Sequence, residues 1–224
     1  MTLPLRPFLV LDLDETLWYG VEAVNDEPVR FHLRPHLTRF LEQVAHDYDL
    51  AVWTAASGDW MHHGLEVLRA GTGFDLAGRA VFLWDRTRCS WRRGEDGELL
   101  WRKPVRKFRA GWMRARYPRG RILAVDDVPG NYVCGYGHLV RVTPWTGDAS
   151  DTELLHLAAY LRSIVQAEDF RVLEKRGWRS RPRPSESQAN PSCPGRARNS
   201  CHAARRRKAA SGRRAGSRVK GNLR

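Results

Sequence analysis

The sequence predicts an open α/β fold, a mainly parallel sheet with helices on its faces, and three observations carry that expectation. Short apolar runs of strand character alternate with stretches whose apolar residues recur every three or four positions, the pattern of strand–helix–strand units. Two of the runs, Phe8-Leu9-Val10-Leu11 and Ile122-Leu123-Ala124-Val125, are apolar throughout, as strands buried on both faces must be. Both end in paired carboxylates, Asp12 with Asp14 and Asp126 with Asp127, at the strand ends where such sheets gather ligands.

The first run should therefore form a buried parallel strand. Residues i and i+2 of a strand share a side, so Asp12 and Asp14 start on one face before the following turn splays them. From Trp18 to Phe31 the sequence reads as a polar connector, with turn signals at Asn25-Asp26 and Pro28. Arg34 to His46 carries a helical stripe of Leu37, Phe40, Leu41 and Val44, with Pro35 in the first turn. Leu50-Ala51-Val52-Trp53 is a second buried strand, and Thr54 places a hydroxyl at its tip.

Ser57 caps a helix running to about Arg69 with Met61, Leu65 and Leu68 inward, and Gly71 and Gly73 stop it. Ala80 to Trp84 is a third strand. Trp91 to Trp101, with Asp96-Gly97 at its turn, is a hairpin and forms a small flap above the site. Lys103 to Arg116 reads as helical. Arg121 to Asp127 repeats the opening theme and is closed by Pro129-Gly130. His138 to Val142 is the last strand, and Asp151 to Val165 is an amphipathic helix.

Charge divides the chain. Of 38 basic and 25 acidic residues, 14 basic and one acidic lie from Arg179 onward, so that segment carries the whole formal +13 and residues 1–178 are neutral. The neutral part is long enough for one domain with a substantial core. Residues 179–224, rich in Pro, Ser, Gly and Arg and poor in large apolar groups, are expected to be a disordered basic tail. The four cysteines form no CxxC pair and predict neither a disulfide framework nor a zinc site. With no signal-peptide core and no run of membrane-spanning length, the chain is expected to be cytoplasmic and without a membrane partner.

Set side by side, the strand tips gather Asp12, Asp14, Thr16, Thr54, a lysine from the segment Lys103 to Lys107, Asp126 and Asp127. Carboxylates without His or Cys favour a hard cation such as Mg²⁺ over zinc. A lysine and a hydroxyl beside such an ion make a phosphate cradle. One carboxylate attacks phosphorus and another, two residues on, protonates the leaving oxygen.

In that order, Asp12-Leu13-Asp14-Glu15-Thr16-Leu17, Trp53-Thr54-Ala55, the lysine and Val125-Asp126-Asp127-Val128-Pro129 resemble the four motifs of the haloacid dehalogenase superfamily. More narrowly they are similar to its FCP/SCP branch, the NLI-interacting-factor-like phosphatases acting on the RNA polymerase II C-terminal domain, and to bacterial relatives of that branch. Arg34-Pro35-His36, Val81-Phe82-Leu83-Trp84-Asp85-Arg86 and Gly147-Asp148 with Asp151-Thr152-Glu153-Leu154-Leu155 extend the likeness over Leu9 to Trp178.

The resemblance implies a Rossmann-like domain over residues 1–178 with no large cap. It implies Asp12 as nucleophile and Asp14 as acid and then base, its backbone carbonyl also meeting the metal. Thr54 would bind the phosphoryl group, Asp127 supported by Asp126 would complete the Mg²⁺ shell, and Thr16 would hold the loop. For the lysine, Lys103 is preferred on its Lys-Pro-Val context, with Lys107, closer to the usual separation from the last aspartates, as the alternative. Ala56, Val128 and Trp18 depart from the family pattern without removing a catalytic group.

The spacings between motifs leave room for no cap domain, so the expected substrate is bulky: a phosphorylated protein or another large phosphomonoester. A second reading, from another class, is a nucleic-acid-associated protein. Its basic tail and the basic segment Arg102 to Arg121 would bind phosphate backbones nonspecifically while the domain trims terminal phosphates. His62-His63 with Glu66 offers no third ligand and reads as surface.

Overall fold

The computed structural model describes residues 6–22, 28–109 and 111–180. The chain divides into a unit of residues 1–185 and a second of residues 186–224; the second, and with it all of the basic tail beyond Ser180, lies outside the described residues.

Strand β1 (Phe8–Leu11) is fully buried and central. A hairpin follows, β2 (Trp18–Val21) paired antiparallel with β3 (Arg30–Leu33). Then come α1 (Leu37–Asp47), β4 (Asp49–Trp53), α2 (Gly58–Thr72), the single turn α3 (Leu76–Arg79) and β5 (Leu83–Trp84). A second hairpin, β6 (Ser90–Arg93) with β7 (Leu99–Arg102), precedes α4 (Gly111–Arg116), β8 (Ile122–Asp126), β9 (Leu139–Arg141) and α5 (Glu153–Ile164).

Strands β5, β4, β1, β8 and β9 form one five-stranded sheet in that order, with every pairing parallel. The chain runs outward from β1 to one edge and then returns to fill the other. The switch point between β1 and β8 therefore opens a crevice at the carboxyl ends of the two strands that carry the paired aspartates.

Alternation along the strands builds a core on each side. Leu9, Leu11, Leu50, Val52, Leu123, Val125 and Val140 meet the apolar stripes of α1, α2 and α5. Phe8, Val10, Ala51, Trp53, Ile122 and Ala124 meet Val105, Phe108, Met113 and Tyr117 on the other face. Helix α2 starts where the sequence predicts, with Ser57 Oγ accepting from the Trp60 amide, and ends at Gly73, whose φ of 73° suits a residue without a side chain.

Three expectations about local structure are corrected. The stretch Trp18 to Phe31 is not a plain connector: its two ends pair as β2 and β3, driven by the wholly buried Trp18, whose ring packs against Phe31 at 5.5 Å. The turn signal Asn25-Asp26 falls outside the described residues. Lys103 to Arg116 is not one helix, because Pro104 keeps Lys103 out of the helical region; a short 3₁₀ turn (Val105–Arg109) and α4 follow instead. The third strand shortens from Ala80–Trp84 to the two residues that pair with β4.

The basic segment is accordingly dispersed rather than arrayed on one helix face. Lys103 is buried, Arg116 bonds Asp49 at 3.1 Å, and Arg121 donates to the carbonyls of Val165 and Ala167. Among the described residues the insertions between strands include two two-stranded hairpins and no cap domain. No described helix is long and apolar enough to cross a membrane. Arg179, the first residue of the tail drawn from charge and composition, is held by the buried carboxylate of Glu153, and the Trp178 indole donates to the Arg141 carbonyl at 2.7 Å.

Candidate active site

The turn after β1 sets the site. Leu13 carbonyl oxygen accepts from the amides of Thr16, Leu17 and Trp18, and Glu15 sits at φ 57°, a left-handed conformation that few non-glycine residues adopt. This tight reversal sends Asp12 and Asp14 in different directions. Arg34, buried beneath it, donates Nη1 to the Thr16 carbonyl at 3.1 Å. Its other nitrogens grip Asp151 at the start of α5, Nε to Oδ1 at 3.0 Å and Nη2 to Oδ2 at 2.9 Å. A planar guanidinium is the one side chain that can hold a carboxylate in this forked way and a carbonyl besides.

Asp12 turns inward. Its Oδ1 lies 2.5 Å from Lys103 Nζ, and Oδ2 lies 3.1 Å from Thr16 Oγ1, which is also 3.4 Å from Asp127 Oδ1, so one hydroxyl proton serves two carboxylates. Lys103 Nζ also meets Asp126 Oδ2 at 2.6 Å, and Asp126 Oδ1 accepts from the Val128 amide and Asn131 Nδ2, each at 2.9 Å. The Lys103 amide donates to the Asn131 carbonyl at 2.8 Å, so the Pro129–Tyr132 turn holds both ends of this pair.

Lys103 and Asp126 have no side-chain exposure, and Asp12 and Asp127 are about as deeply buried. Burial pushes the Asp12 carboxyl up to about 7, against the opposing pull of Lys103, and pushes Asp127 up to about 6, with the Asp12 charge adding to it. Asp126 is raised for the same reason, while the two carboxylates hold Lys103 protonated despite its burial.

Carboxylate oxygens of Asp12, Asp126 and Asp127 all lie within 4.8 Å of one another, the one such group among the described residues. Three hard oxygen donors with no imidazole or thiolate fit a hard divalent cation. His62, His63 and Glu66 belong to no such group; His63 packs edge-on against Phe31.

Asp14 turns the other way. Its Oδ1 accepts from two indoles, Trp18 Nε1 at 3.0 Å and Trp60 Nε1 at 2.7 Å, and its Oδ2 accepts from Thr54 Oγ1 at 3.2 Å. Thr54 is buried at the end of β4, its Oγ1 also accepting from the Ala56 amide. Asp14's carboxylate thus stands apart from the three-carboxylate group. Lys107 is elsewhere, its Nζ donating to the Arg88 carbonyl at 2.6 Å.

The structure therefore brings Asp12, Lys103, Asp126 and Asp127 into one cluster and joins Asp14 to Thr54 beside it. Sequence reasoning did not assign roles to Arg34, Asn131 or Trp60. Asn131 had a local signal, its place in the Pro-Gly-Asn turn five residues after Asp126; the other two meet their partners only through the fold.

An all-parallel sheet whose switch point is lined by buried aspartates and a lysine is the architecture of the haloacid dehalogenase class. Within it, residues 7–171 match the NLI interacting factor-like phosphatase family, and the chain belongs to that family. Its relatives include the ubiquitin-like domain-containing CTD phosphatase 1 of Drosophila melanogaster, 26% identical over 179 residues that cover 77% of this chain and 54% of that protein. The human protein of the same name is 26% identical over 177 residues, with the same shares covered.

The chain thus spans about half the length of the curated relatives it matches. Among solved structures, a fission yeast RNA polymerase II CTD phosphatase Fcp1 variant bound to beryllium fluoride is similar at 14% identity and a TM-score of 0.43, over 66% of this chain and 44% of that one. A second structure of Fcp1 matches at 17% identity and a TM-score of 0.41, over 62% and 42%.

Proposed function

We propose that this chain is a Mg²⁺-dependent phosphomonoesterase that acts through an aspartyl-phosphate on Asp12, with a phosphoserine or phosphothreonine side chain of a protein as substrate. The observation that carries this reading is the buried ion triad, Lys103 Nζ between Asp12 and Asp126, with Asp127 completing the acidic group. Family membership supports the reaction class, and the names of the CTD phosphatase relatives support a phosphoprotein substrate. The absence of a cap domain among the described residues leaves room for a bulky chain.

Asp12 attacks phosphorus from its buried carboxylate, and Lys103 neutralises charge on the equatorial oxygens. The Thr54 hydroxyl binds the phosphoryl group. Asp14 protonates the leaving oxygen and then takes a proton from the water that hydrolyses the intermediate. Asp12, Asp126, Asp127 and the backbone carbonyl of Asp14 would hold Mg²⁺. Bound there, the ion would supply positive charge that keeps Asp12 ionised near neutrality and screens the phosphoryl oxygens.

Hydrolysis of p-nitrophenyl phosphate with and without Mg²⁺, in the wild type and in Asp12→Asn, tests this. The substitution should lower turnover by about 10³-fold or more, and chelation of divalent ions should abolish it. Equal turnover by the two proteins removes Asp12 as nucleophile.

A further inference from the structure

The pairing of two indoles with one carboxylate oxygen has a supporting structure of its own. Trp18 belongs to β2 and Trp60 to α2, and each seats its ring on a glycine of the other element. A Cβ on Gly20 of β2 would lie 2.2 Å from Trp60 Cζ2, and a Cβ on Gly64 of α2 would lie 2.5 Å from Trp18 Cζ2. Real side chains never approach so closely, so glycine at both positions is what lets the rings reach Asp14. Phe31 of β3 closes the group, 5.5 Å from Trp18 and 4.8 Å from Trp60 between ring centroids. Hairpin and helix thus interlock reciprocally, and both indole N–H groups converge on Asp14 Oδ1.

We propose that Trp18 and Trp60 are positioning residues that occupy Oδ1 of Asp14 and so reserve Oδ2, on the Thr54 side, for proton delivery to the leaving oxygen. An indole N–H is a donor and never an acceptor, and a carboxylate oxygen has two in-plane lone pairs; Oδ1 has both engaged. Among the described residues Oδ2 accepts one hydrogen bond, from the Thr54 hydroxyl, which the proposed reaction places against the phosphoryl group. The step balances simply. The P–O(ester) bond breaks as the Asp12–phosphorus bond forms, and the proton on Asp14 Oδ2 passes to the ester oxygen, leaving an alcohol and an Asp14 carboxylate. The inference rests on the acid role of Asp14 proposed above.

The readout is dependence on leaving-group basicity, since a good leaving group departs without a proton and a poor one does not. We would measure kcat/KM, which reports steps up to phosphoryl transfer, for p-nitrophenyl, phenyl and p-methoxyphenyl phosphate. The proteins are the wild type, Trp60→Phe, Trp18→Phe, Asp14→Asn and Asp12→Asn, each with Mg²⁺. Phenylalanine keeps an apolar ring and removes the N–H.

Trp60→Phe should lower kcat/KM for the two basic leaving groups by about 10-fold or more beyond whatever it loses on p-nitrophenyl phosphate, a fraction of the 10²–10⁴ that a general acid supplies. Asp14→Asn should show the same selectivity, more strongly. Because the ratio between substrates is independent of how much protein is folded, a destabilised variant still gives a valid answer, and Trp18→Phe repeats the test from the other element. Equal losses across the series, or none, overturn the proposal. Asp12→Asn separates the two levels: if it still turns over p-nitrophenyl phosphate, the aspartyl-phosphate reading falls. If it is inert while Trp60→Phe loses activity evenly, only the positioning role falls.

Discussion

Replacing Lys103 by methionine isolates the electrostatics of the site. The ammonium is without side-chain exposure and lies 2.5 Å from Asp12 and 2.6 Å from Asp126, themselves nearly or wholly inaccessible. Methionine roughly matches the lysine stem, so the change removes charge more than volume. Deleting one partner of a buried pair costs about 3–5 kcal/mol, because the other partner is left charged and desolvated; here two carboxylates are stranded, which argues for the upper part of that range. For a domain of this size each kcal/mol is worth about 2–4 °C, so melting should fall by roughly 10–20 °C at about pH 8 without added divalent ions.

The pH dependence gives the sharper test. Asp12 already has its folded carboxyl raised to about 7, well above the ordinary aspartate range, and Asp126 is raised with it. A raised carboxyl binds more protons folded than unfolded, so its contribution to stability is fully present below the unfolded value and is lost as pH rises through the folded one. Without Lys103 both carboxyls rise further, so they protonate in the folded variant at about pH 5 and the destabilisation shrinks there. Thermal melts of both proteins followed by circular dichroism at about pH 5 and about pH 8 are sufficient. A variant that melts within a few degrees of the wild type at about pH 8, or one more destabilised at about pH 5 than at about pH 8, refutes the buried triad.

Other perturbations have outcomes of the same kind. Mg²⁺ should raise the melting temperature of the wild type more at about pH 8 than at about pH 5, because Asp12 and Asp127, at about 7 and about 6, must be ionised to hold it; calorimetry in a pH series checks this. Arg34→Lys should lower kcat for p-nitrophenyl phosphate and destabilise by about 2–4 kcal/mol in urea titration, since an ammonium cannot hold both Asp151 oxygens and the Thr16 carbonyl at once. Truncation after Ser180, which spares the Arg179–Glu153 contact, should leave small aryl phosphate hydrolysis within about twofold of the full chain while removing the cluster Arg205-Arg206-Arg207-Lys208.

What the sequence revealed and what it hid follow from how far each interaction reaches. The strands β1, β4 and β8 are each built on a continuous apolar run, and a run needs nothing distant to be recognised; the aspartates that follow β1 and end β8, and the threonine that follows β4, inherit their place from the strand. Helices α1, α2 and α5 were visible for the same reason, through local periodicity and, in α2, a serine cap and a left-handed glycine stop. The hairpin of β2 and β3 was hidden because its ladder is four residues on each side with glycine and charge interspersed, and its stability comes from Trp18 and Phe31 packing on α2. Arg34 was marked in the sequence only by the Arg34-Pro35-His36 likeness, which gave it no role. Only the fold shows that it lies under the Asp12–Asp14 turn and is paired with a carboxylate 117 positions away. Lys103 was preferable to Lys107 on its neighbours alone, since a four-residue difference in spacing decides nothing until the fold shows which ammonium reaches the aspartates.

The central claim is that the reaction passes through a phosphoryl group on Asp12. Acid quenching of wild-type protein during turnover of p-nitrophenyl phosphate, followed by proteolysis and mass spectrometry, should find one added phosphoryl group on the peptide that contains Asp12. The adduct should be labile to hydroxylamine and missing from Asp12→Asn. A phosphoryl group trapped on any other residue, or an Asp12→Asn protein that turns over and traps label as the wild type does, would contradict the account.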